Sequence, residues 1–155
     1  MTTHLSKEIS NRQISAVELC DLFLGKIIGQ GSCRTVYELE IDKTKVVKHE
    51  GNGERFQNVV EARIWSEIMN APYFAKWFAP IHHISPNGMF VIQDKVDKIP
   101  DSQYPTEIPA FFADTKYENF GLLNGKFVCF DYGSIIITEG NWTKKMKKAK
   151  WWHDN

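Results

Sequence analysis

Two short polar stretches in the second half of the chain carry the strongest chemical signal. Asp114-Thr115-Lys116-Tyr117-Glu118-Asn119 has the form D-x-K-x-x-N, and Asp131-Tyr132-Gly133 begins seventeen residues after Asp114. Asn119 and Asp131 offer an amide and a carboxylate oxygen, the hard ligands that magnesium takes. Asp114 can accept a hydroxyl proton or orient a nucleophile, and Lys116 can neutralise charge on a moving phosphoryl group. Upstream, Gly29-Gln30-Gly31-Ser32-Cys33-Arg34-Thr35-Val36 is a glycine-bearing turn whose backbone amides can approach phosphates closely. Arg34 stands where a third glycine is usual, and Val36 is placed to pack on a base. Lys48, twelve residues beyond Val36, supplies a point charge for phosphates. Glu61, at the centre of the next helix, is the best carboxylate to hold that lysine, ahead of Glu54 and Glu67. Each fragment alone also reads as ordinary structure: a glycine turn, a solvated lysine, a surface loop, a plain β-turn. The order and spacing of all of them together favour the chemical reading.

The elements that must position these residues follow from periodicity and turn chemistry. Residues 4–24 read as a helix, with Ser15 as a cap and Ala16, Leu19, Leu22 and Phe23 as an apolar stripe. Residues 25–50 read as strand, Gly-rich turn, strand, turn, strand, with Leu39-Glu40-Ile41 strand-like and Asp42-Lys43-Thr44 as the second turn. Glu54 to Asn70 reads as a helix presenting Phe56, Val59, Val60, Ile64, Ile68 and Met69 at helical spacing, stopped by Ala71-Pro72. Phe78 to Ile84 and Met89 to Val96 read as a hairpin closed by Ser85-Pro86-Asn87-Gly88. Asp97 to Pro109 and Phe111 to Leu123 read as loops, Lys126 to Phe130 as a strand and Ile135 to Thr138 as one more. The predicted class is α+β, an antiparallel sheet with one packed helix.

This order of parts resembles the protein kinase superfamily. Gly29 to Val36 is similar to its Gly-rich loop, Val46-Val47-Lys48 to the strand of its ATP lysine, Asp114 to Asn119 to the D-L-K-P-E-N loop of Ser/Thr kinases, and Asp131-Tyr132-Gly133 to its D-F-G motif. The resemblance implies an ion pair between Lys48 and Glu61, and a hinge over Gln93 to Val96 that reads adenine through its backbone. It implies ATP and Mg2+ as cofactors, with Gly29, Gly31, Val36, Lys48, Gln93 and Val96 around the nucleotide, Asn119 and Asp131 on the metal, and Asp114, Lys116, Lys48 and Glu61 in the catalytic set. It covers roughly Gly25 to Ile137. There are departures. Phe112-Ala113 replaces the His-Arg before the catalytic aspartate. Only eighteen residues separate Val96 from Asp114, and twenty-two follow Gly133, with no A-P-E motif. The expected fold is thus a protein-kinase-like N-lobe with a much reduced C-lobe, of a size that brings bacteriophage and bacterial accessory proteins to mind.

The expected organisation is an N-terminal helical segment over 1–24, a core over 25–139 and a Lys/Trp-rich tail over 140–155. With 155 residues and zero formal net charge, no global field favours nucleic acid or an acidic membrane. Cys20, Cys33 and Cys129 lack metal-ligand spacing and fit reduced thiols in a cytoplasm. No apolar run is long enough to span a membrane, and the polar start lacks the apolar core of a secretory signal. The tail, with Lys144, Lys145, Lys147, Lys148, Lys150, Trp142, Trp151 and Trp152, reads as a solvated terminal helix with its tryptophans on the sheet, in preference to a nucleic-acid contact. The functional expectation is an ATP/Mg-dependent phosphotransferase, Ser/Thr-directed by its Lys116. The alternative is a kinase-like module that binds nucleotide or a protein partner without transferring phosphate. In that alternative a second copy or a partner covers exposed apolar surface. A small-molecule kinase of the aminoglycoside phosphotransferase type ranks third, because its acceptor pocket needs added helices.

Overall fold

The computed structural model describes residues 23–51, 55–133 and 142–154. The helix expected over 4–24 therefore lies outside the described residues except for its last two positions, and the strand expected over Ile135 to Thr138 lies wholly outside them. Leu24 opens a strand rather than closing a helix.

The described chain is α+β. Strands β1 (Leu24–Gln30), β2 (Arg34–Leu39), β3 (Asp42–Glu50), β4 (Ile81–Ile84) and β5 (Phe90–Asp94) form a five-stranded sheet in the order β1-β2-β3-β5-β4. Every neighbouring pair is antiparallel. The β2–β3 turn begins two residues earlier than the composition suggests. Leu39 pairs with Asp42, so Glu40 and Ile41 make the turn and Ile41 is 73% exposed. Asp42 accepts hydrogen bonds from the backbone N–H and hydroxyl of Thr44, which anchors the start of β3. The β4–β5 turn is the expected Ser85 to Gly88. Gly88 there has φ 73°, and the Ser85 carbonyl accepts from its N–H.

Helix α1 (Gln57–Ile68) packs on this sheet, and α2 (Pro72–Ala75) follows it. Residue Phe56, left-handed at φ 51°, offers α1 no side-chain cap. Glu50 of β3 does the work instead, its two carboxylate oxygens accepting from the N–H groups of Gln57 and Asn58 at 3.0 Å each. A carboxylate there also suits the positive end of the helix dipole. The expected apolar face is only half right. The buried face is Asn58, Glu61, Ile64 and Ile68, while Phe56, Val59 and Met69 are exposed. Two of the four buried positions are polar because the first half of α1 turns toward charged groups on β2 and β3.

Two smaller sheets take in the strand expected over Lys126 to Phe130, parts of both expected loops and part of the tail. Strands β7 (Phe120–Leu123) and β8 (Lys126–Cys129) form a hairpin through Asn124-Gly125, at φ 50° and 75°, the pattern of a type I′ turn. Strand β6 (Glu107–Pro109) pairs with β9 (Met146–Lys148). The described tail is therefore extended, not helical. The lysine run has no apolar stripe to bury as a helix, whereas as a strand it pairs with β6 and leads Trp151 into the core. Phe78, Ile108, Phe111, Phe112, Phe120, Cys129 and Tyr132 join Ile64 and Ile68 in one buried cluster, with Trp142 and Trp151 packed against it. Among the described residues no helix is long and apolar enough to cross a membrane.

Candidate functional site

Glu61 is the hub of the site. Its side chain is fully buried, and both carboxylate oxygens accept from Lys48 Nζ, at 3.1 and 3.0 Å. Pairing of Lys48 with Glu61 is therefore as the sequence predicts. Three more donors converge on Glu61 Oε1: Arg34 Nη2 at 3.0 Å and the backbone N–H groups of Tyr132 and Gly133 at 3.0 and 3.1 Å. Burial alone raises the carboxyl's pKa, but Lys48 and Arg34 more than offset this and hold it at about 2. Burial also pulls the Lys48 ammonium below its ordinary value, with Glu61 opposing.

The Asp131-Tyr132-Gly133 stretch is locked against α1 by the same carboxylate. A Cβ at Gly133 would lie 2.7 Å from the backbone oxygen of Gln57, so the close approach requires glycine. Tyr132 is buried, its hydroxyl donating to the Ala79 carbonyl at 2.9 Å and its ring edge-on to Phe78. Burial pushes its phenol well above the ordinary range. Lys48 Nζ also donates to the Phe130 carbonyl, which ties the β3 lysine to the segment bearing Asp131.

Loop 113–119 carries the other polar residues. Asn119 is buried at the end of a 3-10 turn (Tyr117–Asn119), and its carbonyl accepts from the N–H groups of Phe130 and Asp131 at 2.9 and 3.3 Å. These bonds fix the spacing between the two residues chosen as metal ligands. Phe112, in the position before Ala113 and Asp114, is fully buried against Phe78 and Phe120. An apolar anchor thus holds the loop from below.

These parts meet in one cleft of about 690 Å3. Gly29, Gly31, Val36, Lys48, Gln93, Val96, Asp114, Lys116, Asn119 and Asp131 all line it. Glu61 lies behind Lys48 instead of in the wall. Gly29 and Gly31 are not forced by the chain's own packing, since a Cβ would meet neighbours only at 3.6 and 3.8 Å. The Gln93 amide donates to the Ala79 carbonyl at 3.3 Å at the buried back of the cleft. Beyond it, Lys95 N–H bonds Thr44 and Asp97 pairs with Leu122 in both directions at 2.9 Å. Among the described residues the Val96 N–H between them has no protein acceptor.

Several site residues had not been singled out for these roles. Arg34, at the third-glycine position, is buried, and its guanidinium reaches Asn58 Oδ1 at 3.2 Å, Glu61, and the Asp131 carboxylate. Burial works against its charge, but Glu61 and Asp131 outweigh that and raise its pKa. Asn58 also donates to the carbonyls of Lys48 and Met89, at 3.1 and 3.0 Å. Trp152 Nε1 donates to Asp114 Oδ1 at 2.8 Å, and Lys116 pairs with Asp154. The departure from glycine at Arg34 was a visible signal. The tail contacts left none.

Magnesium can be tested against this donor set. Asn119 offers a side-chain oxygen with no protein donor among the described residues, and Asp131 is 40% exposed with Oδ1 on Arg34. Magnesium takes one or two carboxylates and completes its shell with phosphate and water oxygens, so the pair fits that ion. Among the described residues no group of three or more His, Cys, Asp or Glu side chains could hold a metal without such help. No protein-family model matches the chain, and no curated protein matches it in sequence.

Proposed function

We propose that this chain binds ATP with magnesium in the cleft and transfers the terminal phosphoryl group to a hydroxyl, in the manner of a protein kinase with a much reduced large lobe. One observation carries the reading: the buried Lys48–Glu61 pair, Asn119, Asp131 and Asp114, far apart in sequence, meet at a single cleft under a glycine-bearing hairpin. In this reading the sheet order and α1 correspond to a kinase N-lobe. Lys48, held by Glu61, binds phosphate oxygens. The Val96 N–H donates to no protein acceptor among the described residues and is left for the adenine edge, with Val36 and Val46 on the base. Asn119 and Asp131 hold the magnesium, which when bound offsets charge on the phosphates. Asp114 orients the acceptor hydroxyl and takes its proton, and Lys116 stabilises charge on the moving group. The Lys116 position favours Ser or Thr of a protein as acceptor.

Labelled ATP and magnesium, incubated with wild type, Asp114→Ala and Asp131→Ala, test it. Transfer by wild type and its loss in both variants is the expected result. A second reading is favoured by one contact, Arg34 on Asp131, which engages a proposed metal ligand within the chain. That reading is a nucleotide-binding module without transfer. Thermal stabilisation by ATP with no label transferred under any condition would select it.

A further inference from the structure

The C-terminal segment and the loop bearing Asp114 are held together along their whole length. Lys147 Nζ donates to the Phe112 carbonyl, and the Thr115 hydroxyl to the Lys150 carbonyl. Further along, Tyr117 N–H donates to the Trp152 carbonyl at 3.0 Å and Trp152 N–H to the Thr115 carbonyl at 3.3 Å, so the two backbones run as a short parallel bridge. The segment is itself anchored. Strand β9 pairs with β6, and Trp151 packs on Phe120 and Phe127 with its Nε1 donating to the Pro105 carbonyl at 2.7 Å. At the end of this scaffold the Trp152 indole N–H points at Asp114 Oδ1, and Trp152 lines the cleft beside it.

We propose that the segment 145–154 fixes the loop that bears Asp114, and that Trp152 is a positioning residue for Asp114. The proposal rests on the phosphotransfer reading for its consequence, but the contact can be examined without it. A carboxylate on a loop is free to rotate among rotamers, and each good acceptor direction it can adopt is diluted by the others. An indole N–H held by a paired backbone and a partly buried neighbouring tryptophan removes most of that freedom. It binds Oδ1 and leaves Oδ2 to meet the acceptor hydroxyl. Trp152 is a donor only, so it can bind the ionised carboxylate and cannot take up the proton that Asp114 receives.

The experiment uses the full chain, with the indole N–H signals of its tryptophans followed by NMR and the Trp152 signal identified by its loss in Trp152→Phe. The expected result is that hydrogen exchange of the Trp152 indole is at least about tenfold slower than for an exposed indole, and that Asp114→Ala removes this protection while the Trp151 indole keeps its own. Equal exchange of the Trp152 indole in wild type and Asp114→Ala overturns the proposal, whatever the activity. Where wild type transfers phosphate, Trp152→Phe keeps an aromatic ring and the backbone bridge but removes the N–H, so it lowers kcat by about tenfold or more and leaves the KM for ATP within about twofold. An unchanged or raised kcat also overturns it. A wild type with a protected indole but no transfer at all strikes the phosphotransfer reading, and leaves the contact standing.

Discussion

Replacing Glu61 by Gln tests the hub directly. The change keeps the shape of the side chain and removes the charge that two buried cations share, Lys48 and Arg34. Two routes give its size. The Glu61 carboxyl falls from an ordinary 4.5 to about 2 on folding, and at about 1.4 kcal/mol per pH unit that is on the order of 3 kcal/mol. Removing one partner of a buried ion pair independently costs about 3–5 kcal/mol. With a typical urea slope of about 1–3 kcal/mol per molar, the unfolding midpoint of Glu61→Gln at pH 7 should fall by roughly 1–5 M. The pH dependence should change with it. Because the folded pKa is depressed, the stabilisation is complete above the unfolded value and is lost as pH falls through the folded value. Wild type should therefore lose stability between about pH 5 and pH 2, and Glu61→Gln should lack that component. Adding Lys48→Met to Glu61→Gln removes one stranded cation and should recover part of the loss. Urea curves for Glu61→Gln within about 0.5 kcal/mol of wild type at pH 7 would refute the reasoning.

Other substitutions probe separate contacts. Arg34→Gln frees the Asp131 carboxylate, so the magnesium concentration needed for half-maximal thermal stabilisation with a non-hydrolysable ATP analogue should drop about three- to tenfold; an unchanged midpoint would show that Arg34 does not compete with the ion. Gly121→Ala places a Cβ 2.3 Å from the Asp97 carbonyl oxygen, against the paired Asp97–Leu122 backbone, and should cost about 1–3 kcal/mol in urea unfolding. Trp151→Ala removes the ring that contacts Tyr104, Phe120 and Phe127; a loss of about 3 kcal/mol in urea unfolding is expected, together with faster amide exchange at Tyr117, whose N–H depends on the neighbouring Trp152.

The five-stranded sheet is readable because its signals are local. β-branched pairs such as Val46-Val47, the Ser85 to Gly88 turn and the Ala71-Pro72 stop act within a few residues of where they lie. The candidate site was readable for a different reason: its residues keep a fixed order, so each weak motif strengthens the next. Long-range pairing was not readable. Glu107 pairs with Lys148 and Lys116 with Trp152, and no local pattern in a lysine run says which distant strand will accept it. The buried face of α1 departs from the expected one because helical spacing alone ranks Val59 above Asn58, and only the charged partners on β2 and β3 reverse that ranking. One local signal was overlooked. Asn124-Gly125 between Leu123 and Lys126 is a strong hairpin turn, and it marks the β7–β8 ribbon directly.

The pairing of β6 with β9 also sets an order of events during synthesis. All strands of the five-stranded sheet lie between Leu24 and Asp94, so that sheet can close while the rest of the chain is still being made. The segment bearing Asp114 has no such independence, because its partners are at residues 145–154. At about 5–20 residues per second, the interval between translating Gly133 and Asp154 is on the order of one to a few seconds. For that time the aromatic cluster around Phe120 lacks Trp151, so its packing is completed last, after the five-stranded sheet can already have closed.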